Sequence, residues 1–247
     1  LERHRQPQVE AANALRFLIE AADVVQGALL PYLPATLEQY FKIMQEIGNE
    51  LVVKGLQTII EKYGPHIGQR AADIAFRLCQ CFMEYAKDNI EDDDAAMAAA
   101  QCMEALTSLL MGCSNTPALY PALEVHLIPV VSKIISCDDY IDYYENSIDI
   151  MSYLTFYSLE ISPALWSVFP LLFNSLNSWA IEYILNLRAL AENYISRDPI
   201  GFCQGSSPEG VPFPMVIINM SRNVLSDHRY TETDCKAALQ LITSILL

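Results

Sequence analysis

Basic residues are scarce in this chain. It has 15 lysines and arginines against 30 aspartates and glutamates, so its formal net charge is −15 at pH 7. Phosphate backbones and anionic lipids repel such a protein, and we expect no direct binding of nucleic acid and no membrane association. A basic protein is the complementary partner. The alternative is that the acidity serves only solubility, and the charge alone leaves both interpretations open.

Motifs for catalysis and metal binding are also lacking. The four histidines show no metal-ligand spacing; they are His4, His66, His126 and His228. The glycines of segment 201–210 are not followed by the Lys-Ser or Lys-Thr pair of a phosphate-binding loop, and no GxSxG nucleophile elbow is present. We therefore expect no enzyme, no cofactor and no metal site.

Paired cysteines and long apolar runs are missing too. The seven cysteines are an odd number in mostly helix-like surroundings, which indicates reduced core thiols in a cytosolic or nuclear protein. No uninterrupted apolar run reaches the roughly 18 residues of a membrane span. The chain starts without a methionine or a signal peptide and stops inside an amphipathic pattern, so we expect an internal fragment of a longer protein.

What the chain does contain is apolar material in helical order. It is 52% hydrophobic, which excludes the disordered class. Apolar residues recur at i, i+3, i+4 and i+7 in segments 9–25, 50–64, 67–86, 95–112 and 232–247. Gly64 and Gly112 stand where helix C-caps are expected. The pattern predicts an all-α fold, interrupted by an acidic loop at 88–94 and a loop rich in Gly, Pro and Ser at 197–214.

A repeat is suggested by four prolines inside apolar helical segments, namely Pro34, Pro129, Pro170 and Pro214. Their intervals fit a period of about 45 residues, which is the period of HEAT and armadillo repeats. A proline kinks a helix, and one kink per repeat suits the outer helix of a HEAT unit, although the prolines could also coincide by chance. We predict an α-solenoid of antiparallel helix pairs, continuous over residues 1–247, with about five to six repeats.

The segment DDYIDYYENSIDIMSYLTFYS, residues 138–158, carries five acidic residues in its first twelve positions and no basic residue. We call the five the acidic strip: Asp138, Asp139, Asp142, Glu145 and Asp149. On one continuous helix, all of them except Asp139 would lie within about 60° of one another. A separate face would pack, formed by Ile141, Tyr144, Ile148, Met151 and Thr155.

We interpret the acidic strip as a docking surface for lysine and arginine side chains of a basic cargo. Four acidic residues of the loop at 88–94 are candidates for the same role: Glu91, Asp92, Asp93 and Asp94. An exposed ion pair contributes less than about 1 kcal/mol, so useful affinity would need many pairs along several repeats. The alternative interpretation is a solvated helix face without a partner.

Three segments resemble a known family. EAANALRFLIEAADVVQGALLPYLPATLEQYFKIMQE (10–46) resembles the middle of the importin-β superfamily of nuclear transport receptors, in the branch that contains importins 7 and 8. YYENSIDIMSYLTFYSLEISPALWSVFPLLFNSL (143–176) resembles it more strongly. NYISRDP (193–199) is similar to the NYISRG segment of that branch, with Asp198 in place of the glycine. The similarity runs with gaps from about residue 7 to residue 247.

The resemblance implies a HEAT solenoid of outer A helices and inner B helices. It implies a receptor that shuttles between cytoplasm and nucleus with basic cargo such as ribosomal proteins and histones, releases import cargo to Ran·GTP, and contacts phenylalanine–glycine repeats of nucleoporins. The acidic strip would then lie on a B helix at the concave cargo face, with the 88–94 loop near the same surface. The main Ran·GTP contacts would lie in N-terminal repeats outside this fragment.

Two further interpretations stay open beside the import receptor. One is a HEAT scaffold or adaptor with a partner outside transport, and the other is an exportin. Trp166 and Phe169 would line a nucleoporin pocket between A helices or pack in the core, and we expect the core.

Overall fold

The computed structural model describes residues 2–87 and 93–246, and their regular structure is helical. The helices are α1 (Glu2–Ala21), α2 (Asp23–Leu29), α3 (Leu33–Glu46), α4 (Glu50–Ile67), α5 (Ala71–Tyr85), α6 (Asp93–Gly112), α7 (Tyr120–Ser136), α8 (Tyr144–Tyr157), α9 (Pro163–Leu176), α10 (Ile184–Arg197), α11 (Pro199–Gln204), α12 (Phe213–Ser226) and α13 (Glu232–Leu246). The described residues contain no β-strand, and their one isolated bridge joins Ser206 to Pro212. The all-α prediction is confirmed.

The chain divides into two compact units, which we call the first unit (up to Leu127) and the second unit (from Ile128). In the first unit α4 packs between α1 and α6, while α3 packs against α5. In the second unit α10 packs between α8 and α13, while α12 packs against α9. Each unit therefore stacks alternate helices in layers, which is consistent with a HEAT solenoid. A continuous array of five to six repeats stays a prediction.

Hydrogen bonds between neighbouring helices of one layer join residues that are separated by roughly one predicted repeat. Thr58 donates to Glu20, 38 residues earlier, and Gln57 donates to Ser108, 51 residues later. Asn186 donates to Glu145 across 41 residues. These separations bracket the predicted period of about 45 residues.

The prediction that a proline kinks one helix per repeat is wrong for Pro34 and Pro214, and it stays a prediction for Pro129 and Pro170. Pro129 and Pro170 lie inside α7 and α9. Pro34 and Pro214 instead occupy the first turns of α3 and α12, where no kink arises. A first-turn proline loses no helical hydrogen bond, because the amide it lacks would have had no partner there.

Gly64 and Gly112 do not act as left-handed helix caps. Gly64 lies inside α4 and Gly112 is the last residue of α6, and among the described glycines only Gly210 has a positive φ. A Cβ atom added to Gly64 would lie 3.4 Å from the Gly112 Cα. The two glycines therefore let α4 and α6 approach closely.

About half of the predicted irregular segment at 197–214 is helical. Arg197 ends α10, α11 follows, and α12 begins at Phe213, so that the loop shrinks to residues 205–212. Asp198 starts α11 because its Oδ1 accepts a hydrogen bond from the amide of Gly201 at 2.8 Å. This carboxylate cap supplies a helix start inside a stretch whose composition indicates a loop.

The cysteines are all free, in line with the predicted reduced thiols. Four of them are buried: Cys79, Cys81, Cys102 and Cys113. Burial raises the pKa of the Cys79 thiol to about 12, so this thiol stays protonated and packs as a small apolar group.

Segment Pro117–Ser136 is long and apolar enough, by length and composition alone, to cross a membrane. Half of its most apolar window is buried inside the protein. Core helices of soluble proteins pass the same test, so the expectation of no membrane association stands as a prediction.

Candidate acidic binding surface

All five carboxylates of the acidic strip are exposed, but they do not share one helix. Asp138–Tyr143 is a 3-10 segment with a non-helical Tyr140 (φ −105°, ψ 19°), and α8 begins only at Tyr144. The predicted single-helix stripe is therefore wrong for Asp138 and Asp142, which precede α8. Aspartate side chains compete for backbone hydrogen bonds and favour turns and helix starts over helix interiors, which suits this segment to a tighter turn.

The predicted packing face is confirmed for its four members on α8, whereas Ile141 precedes this helix. Ile148 and Met151 are buried at 1% and 0% exposure, Tyr144 and Thr155 are fully buried, and Ile141 is half-buried. The buried face fixes the rotation of α8, so Glu145 and Asp149 must face solvent.

Helices α9 and α10 hold α8 in place through polar contacts. The Tyr144 hydroxyl lies 2.6 Å from the Ser175 Oγ of α9. From α10, Asn193 Nδ2 donates to the Ser152 carbonyl at 3.1 Å, and Arg197 Nη1 donates to the Phe156 carbonyl at 2.7 Å. A cation at the C-terminus of a helix also interacts favourably with the helix dipole. Glu145 and Asp149 thus lie on a well-anchored helix.

The strip lies in a part of the sequence without basic residues. No lysine or arginine occurs between Lys133 and Arg188. Lys133 Nζ lies 4.9 Å from the centroid of the Tyr140 ring. Among the described residues, no ion pair within 4.0 Å involves a strip carboxylate. The negative charge of the strip is consequently left for solvent or a partner to balance.

Burial and like charge act on the α8 end of the strip. Partial burial, and then the charge of Glu145, raise the pKa of Asp149. The Tyr183 pKa is also raised, first by burial and then by Glu182, Glu145 and Asp142. Asn186 Nδ2 donates a hydrogen bond to Glu145 Oε1 at 2.7 Å. The repulsion between Glu145 and Asp149 raises the affinity of Asp149 for a proton, and a cationic side chain of a partner would relieve the same repulsion.

A second acidic row was missed by the sequence reasoning. Glu20, Glu61 and Glu104 lie on α1, α4 and α6, one on each helix of the packed layer, and all are exposed. We call these three the glutamate ladder. Their separations of 41 and 43 residues follow the repeat, and Glu145 stands a further 41 residues along the sequence. This spacing is the signal that identifies them.

The glutamate ladder is held by polar side chains of the same layer. Thr58 Oγ1 donates to Glu20 Oε1 at 3.2 Å, and Ser108 Oγ donates to Glu61 Oε1 at 2.9 Å. Two glutamines extend this network. Gln57 Nε2 donates to Glu61 Oε1 at 2.9 Å and to Ser108 Oγ at 3.0 Å. Gln101 Nε2 donates to Glu104 Oε2 at 3.0 Å and also to Gln57 Oε1.

The four candidates around the predicted acidic loop divide into two pairs. Glu91 and Asp92 lie outside the described residues. Asp93 and Asp94 are exposed and form the first turn of α6, so the loop ends earlier than predicted. Carboxylates there interact favourably with the positive end of the helix dipole. Their role in cargo binding stays a prediction.

One group of potential metal ligands occurs at the start of the strip. The ligand atoms of Cys137, Asp138 and Asp139 all lie within 4.8 Å of one another. The Cys137 thiol already donates to Asp139 Oδ2 at 3.3 Å, and both aspartates are exposed. Exposed acidic groups often cluster without an ion, and we assign no metal to this group.

Trp166 and Phe169 belong to an aromatic cluster in the second unit. Phe169 is fully buried, which confirms core packing. Trp166 is half-buried; its ring stacks on Phe213 with centroids 5.1 Å apart, and its Nε1 donates to Asp198 Oδ2 at 2.9 Å. Asp198, the departure from the glycine of the similar segment, thus joins the tryptophan to the start of α11.

Comparison with curated proteins agrees with the resemblance. The chain is 30% identical over 243 residues to the importin beta-like SAD2 homolog of Arabidopsis thaliana. It is 22% identical over 241 residues to the probable importin-7 homolog of Dictyostelium discoideum, and 24% identical over 241 residues to importin-8 of Mus musculus. Each alignment covers 97% of the chain. The chain is homologous to one segment of importin-β-like proteins.

The homologous segment is short relative to these proteins. The chain spans 22–23% of the length of the three relatives. No family model and no solved structure matches the chain. The relatives are named as importins and not as enzymes. Because the chain covers so little of them, an activity or a partner of a whole receptor can only be proposed for this segment.

Proposed function

We propose that this chain is a segment of a nuclear import receptor and that the acidic strip binds basic cargo proteins such as ribosomal proteins and histones. The observation that carries the proposal is the row of exposed strip carboxylates without ion-pair partners among the described residues, on a chain homologous to importins. Partial burial and Glu145 raise the pKa of Asp149, so Asp149 also gains from a cationic partner.

The glutamate ladder supports the same function in the first unit. Its carboxylates are exposed and oriented by hydrogen bonds, so less side-chain entropy is lost when a lysine or arginine binds. Each exposed ion pair contributes under about 1 kcal/mol, and affinity therefore comes from many pairs made together. Such binding weakens as salt is added, because exposed charges are screened over about 8–10 Å.

The remaining parts of the function rest on the family resemblance. Ran·GTP releases the cargo through repeats outside this segment, phenylalanine–glycine nucleoporins carry the receptor through the pore, and the receptor moves between cytoplasm and nucleus. A position of the strip on a concave inner face belongs to the same proposal.

The test uses the full-length protein. A lysine-rich protein, either a linker histone or a ribosomal protein, is immobilised and loaded with the receptor, and Ran·GTP or Ran·GDP is then titrated. We expect release by Ran·GTP alone. Binding that ignores Ran would replace the proposal with a scaffold or adaptor, and binding strengthened by Ran·GTP would indicate an exportin.

A matched variant connects the test to the strip. In the same experiment, a receptor with Asp138→Asn, Asp142→Asn, Glu145→Gln and Asp149→Asn should load less cargo, while its response to Ran·GTP is retained. Full loading of this variant would remove the strip from the cargo site without affecting the assignment as an import receptor.

A further inference from the structure

Ser136 combines an accessible hydroxyl with an acidic sequence on its C-terminal side. It is the last residue of α7 and is exposed, and its hydroxyl makes no hydrogen bond to another described residue. Asp138, Asp139 and Asp142 follow at positions +2, +3 and +6, and all three are exposed. Serine kinases of the acidic-directed class select their substrates by basic pockets that receive carboxylates after the serine, which is charge complementarity between enzyme and substrate.

The backbone around Ser136 allows the segment to enter a kinase cleft. Cys137 is extended (φ −141°, ψ 124°) and separates α7 from the 3-10 segment. Residues 136–142 are exposed or half-buried, and buried side chains begin only at Ile135 on one side and Tyr143 on the other. Helix ends open locally at low free-energy cost, so this segment can extend without exposing the core.

We propose that Ser136 is a phosphorylation site for an acidic-directed serine kinase and that its phosphate strengthens the binding of basic cargo by the adjoining acidic strip. In the transfer, the Ser136 Oγ attacks the γ-phosphorus of ATP, the bond from that phosphorus to the bridging oxygen of ADP breaks, and the hydroxyl proton passes to a base of the kinase. The products are phosphoserine and ADP. The effect on cargo rests on the function proposed above, whereas the modification itself does not.

The phosphate would act through charge. It adds roughly 1.5 to 2 negative charges at pH 7 beside Asp138 and Asp139. Lys133, one turn earlier on α7, lies over the Tyr140 ring with Nζ 4.9 Å from its centroid. As an i, i+3 neighbour Lys133 can pair with the phosphate, which offsets the unfavourable placement of an anion at the C-terminus of α7.

Two other exposed hydroxyl residues with an acid at +3 provide internal comparisons. Thr231 Oγ1 donates to Asp234 Oδ2 at 2.8 Å, so its hydroxyl is committed to the start of α13. Ser206 is exposed but is followed by one carboxylate, Glu209, in place of the three after Ser136. We therefore expect Ser136 to be modified first.

The experiment treats the full-length protein with a purified acidic-directed kinase of the casein-kinase-2 type, magnesium and ATP, and locates phosphate by peptide mass mapping, with casein as a positive control. One phosphate at Ser136 is expected. Ser136→Ala should abolish this signal, Ser206→Ala should leave it unchanged, and Asp138→Asn with Asp139→Asn should slow it by about tenfold as the charge complementarity is lost. The proposal fails if casein is labelled while Ser136 is not, or if the Asn variants are labelled as fast as the original protein.

The effect of the phosphate on cargo binding is measured with a lysine-rich protein before and after phosphorylation. We expect the dissociation constant to fall by about threefold at low salt, and Ser136→Ala to show no change after the same treatment. Phosphorylation without a change in affinity overturns the regulatory effect alone. If neither form binds a basic protein, the proposed cargo function fails while the modification site stands.

Discussion

The two units present their acidic side chains in different ways. In the first unit, the glutamate ladder accepts hydrogen bonds from hydroxyl and amide side chains, and Arg16 Nη1 lies 3.4 Å from Glu20 Oε1. In the second unit, Asn186 is the one side-chain amide that the described residues provide to the acidic strip. The ladder carboxylates are thus bonded to side chains of the packed helices, whereas the strip carboxylates have no basic partner among the described residues. This difference favours the strip as the main surface for a basic partner.

Removing the charge of each surface in turn tests most directly whether the strip binds a basic partner more strongly than the ladder. Replacing Asp138, Asp142, Glu145 and Asp149 by their amides should weaken the binding of a lysine-rich protein by about tenfold or more, or about 1.4 kcal/mol, because several ion pairs are lost together. Fluorescence anisotropy at two salt concentrations would measure the dissociation constant, and its salt dependence should flatten.

The matched control changes the glutamate ladder to glutamines at Glu20, Glu61 and Glu104. Fewer charges are lost and one of them is paired with Arg16, so we expect a loss of about threefold. Equal losses for the two variants would abolish the distinction between the surfaces. An unchanged dissociation constant and salt slope for the strip variant would remove its role in binding.

Loss of a side-chain hydrogen bond near the acidic residues should lower stability more in the first unit than in the second. Gln101 is buried at 5% exposure and donates to Glu104 Oε2 at 3.0 Å as well as to Gln57. Gln101→Leu leaves both acceptors without this donor and should lower the free energy of unfolding by about 1–2 kcal/mol. Asn186→Leu removes an exposed bond in the second unit and should change it by less than about 0.5 kcal/mol. Urea unfolding of both variants measures the difference, and equal effects would show that the two layers are built alike.

The sequence predicted the helices better than the arrangement of their side chains. Periodic apolar residues placed α4, α5 and α6 to within a few residues, because a buried stripe needs that spacing whatever its neighbours are. The strip was predicted to be exposed for the same reason. Its break at Tyr140 could not be predicted, since i, i+4 spacing is compatible with a helix while paired aspartates also favour a turn, and tertiary packing decides between them.

Features that depend on how the helices stack could not be predicted from local sequence patterns. Glu20, Glu61 and Glu104 are 41 and 43 residues apart in the sequence, and only the packing of α1, α4 and α6 brings their helices into one layer. Pro34 and Pro214 fit the expected spacing but lie in the first turns of helices. Proline is favoured in a first turn, and the residue type alone does not distinguish this position from a kink inside a helix.

A smaller effect is expected where the second unit departs from the similar glycine-containing segment. Asp198→Gly removes the acceptor of Trp166 Nε1 and the cap on the Gly201 amide, and should lower the free energy of unfolding by about 1 kcal/mol. Tryptophan fluorescence should shift to longer wavelength as the Trp166 ring gains access to water. Asp198→Asn keeps one oxygen acceptor and should have the weaker effect; a Gly variant as stable as the original protein would make Asp198 dispensable to the fold.

The smallest effect is expected at Asp149, where one substitution should change binding and stability in opposite directions. Partial burial and Glu145 raise the folded-state pKa of Asp149, so its ionisation opposes folding above that pKa. Asp149→Asn should therefore raise the melting temperature at pH 7 by about 1–2 °C, and the gain should shrink as the pH falls and the carboxyl of the original protein becomes protonated. The same change should weaken the binding of a lysine-rich protein by less than about threefold. Glu160→Gln, at an exposed residue outside the strip, is the control and should change neither quantity. A melting temperature that falls at pH 7, or a gain that is equal at every pH, would show that Asp149 stabilises the fold and that the strip is not held at the expense of stability.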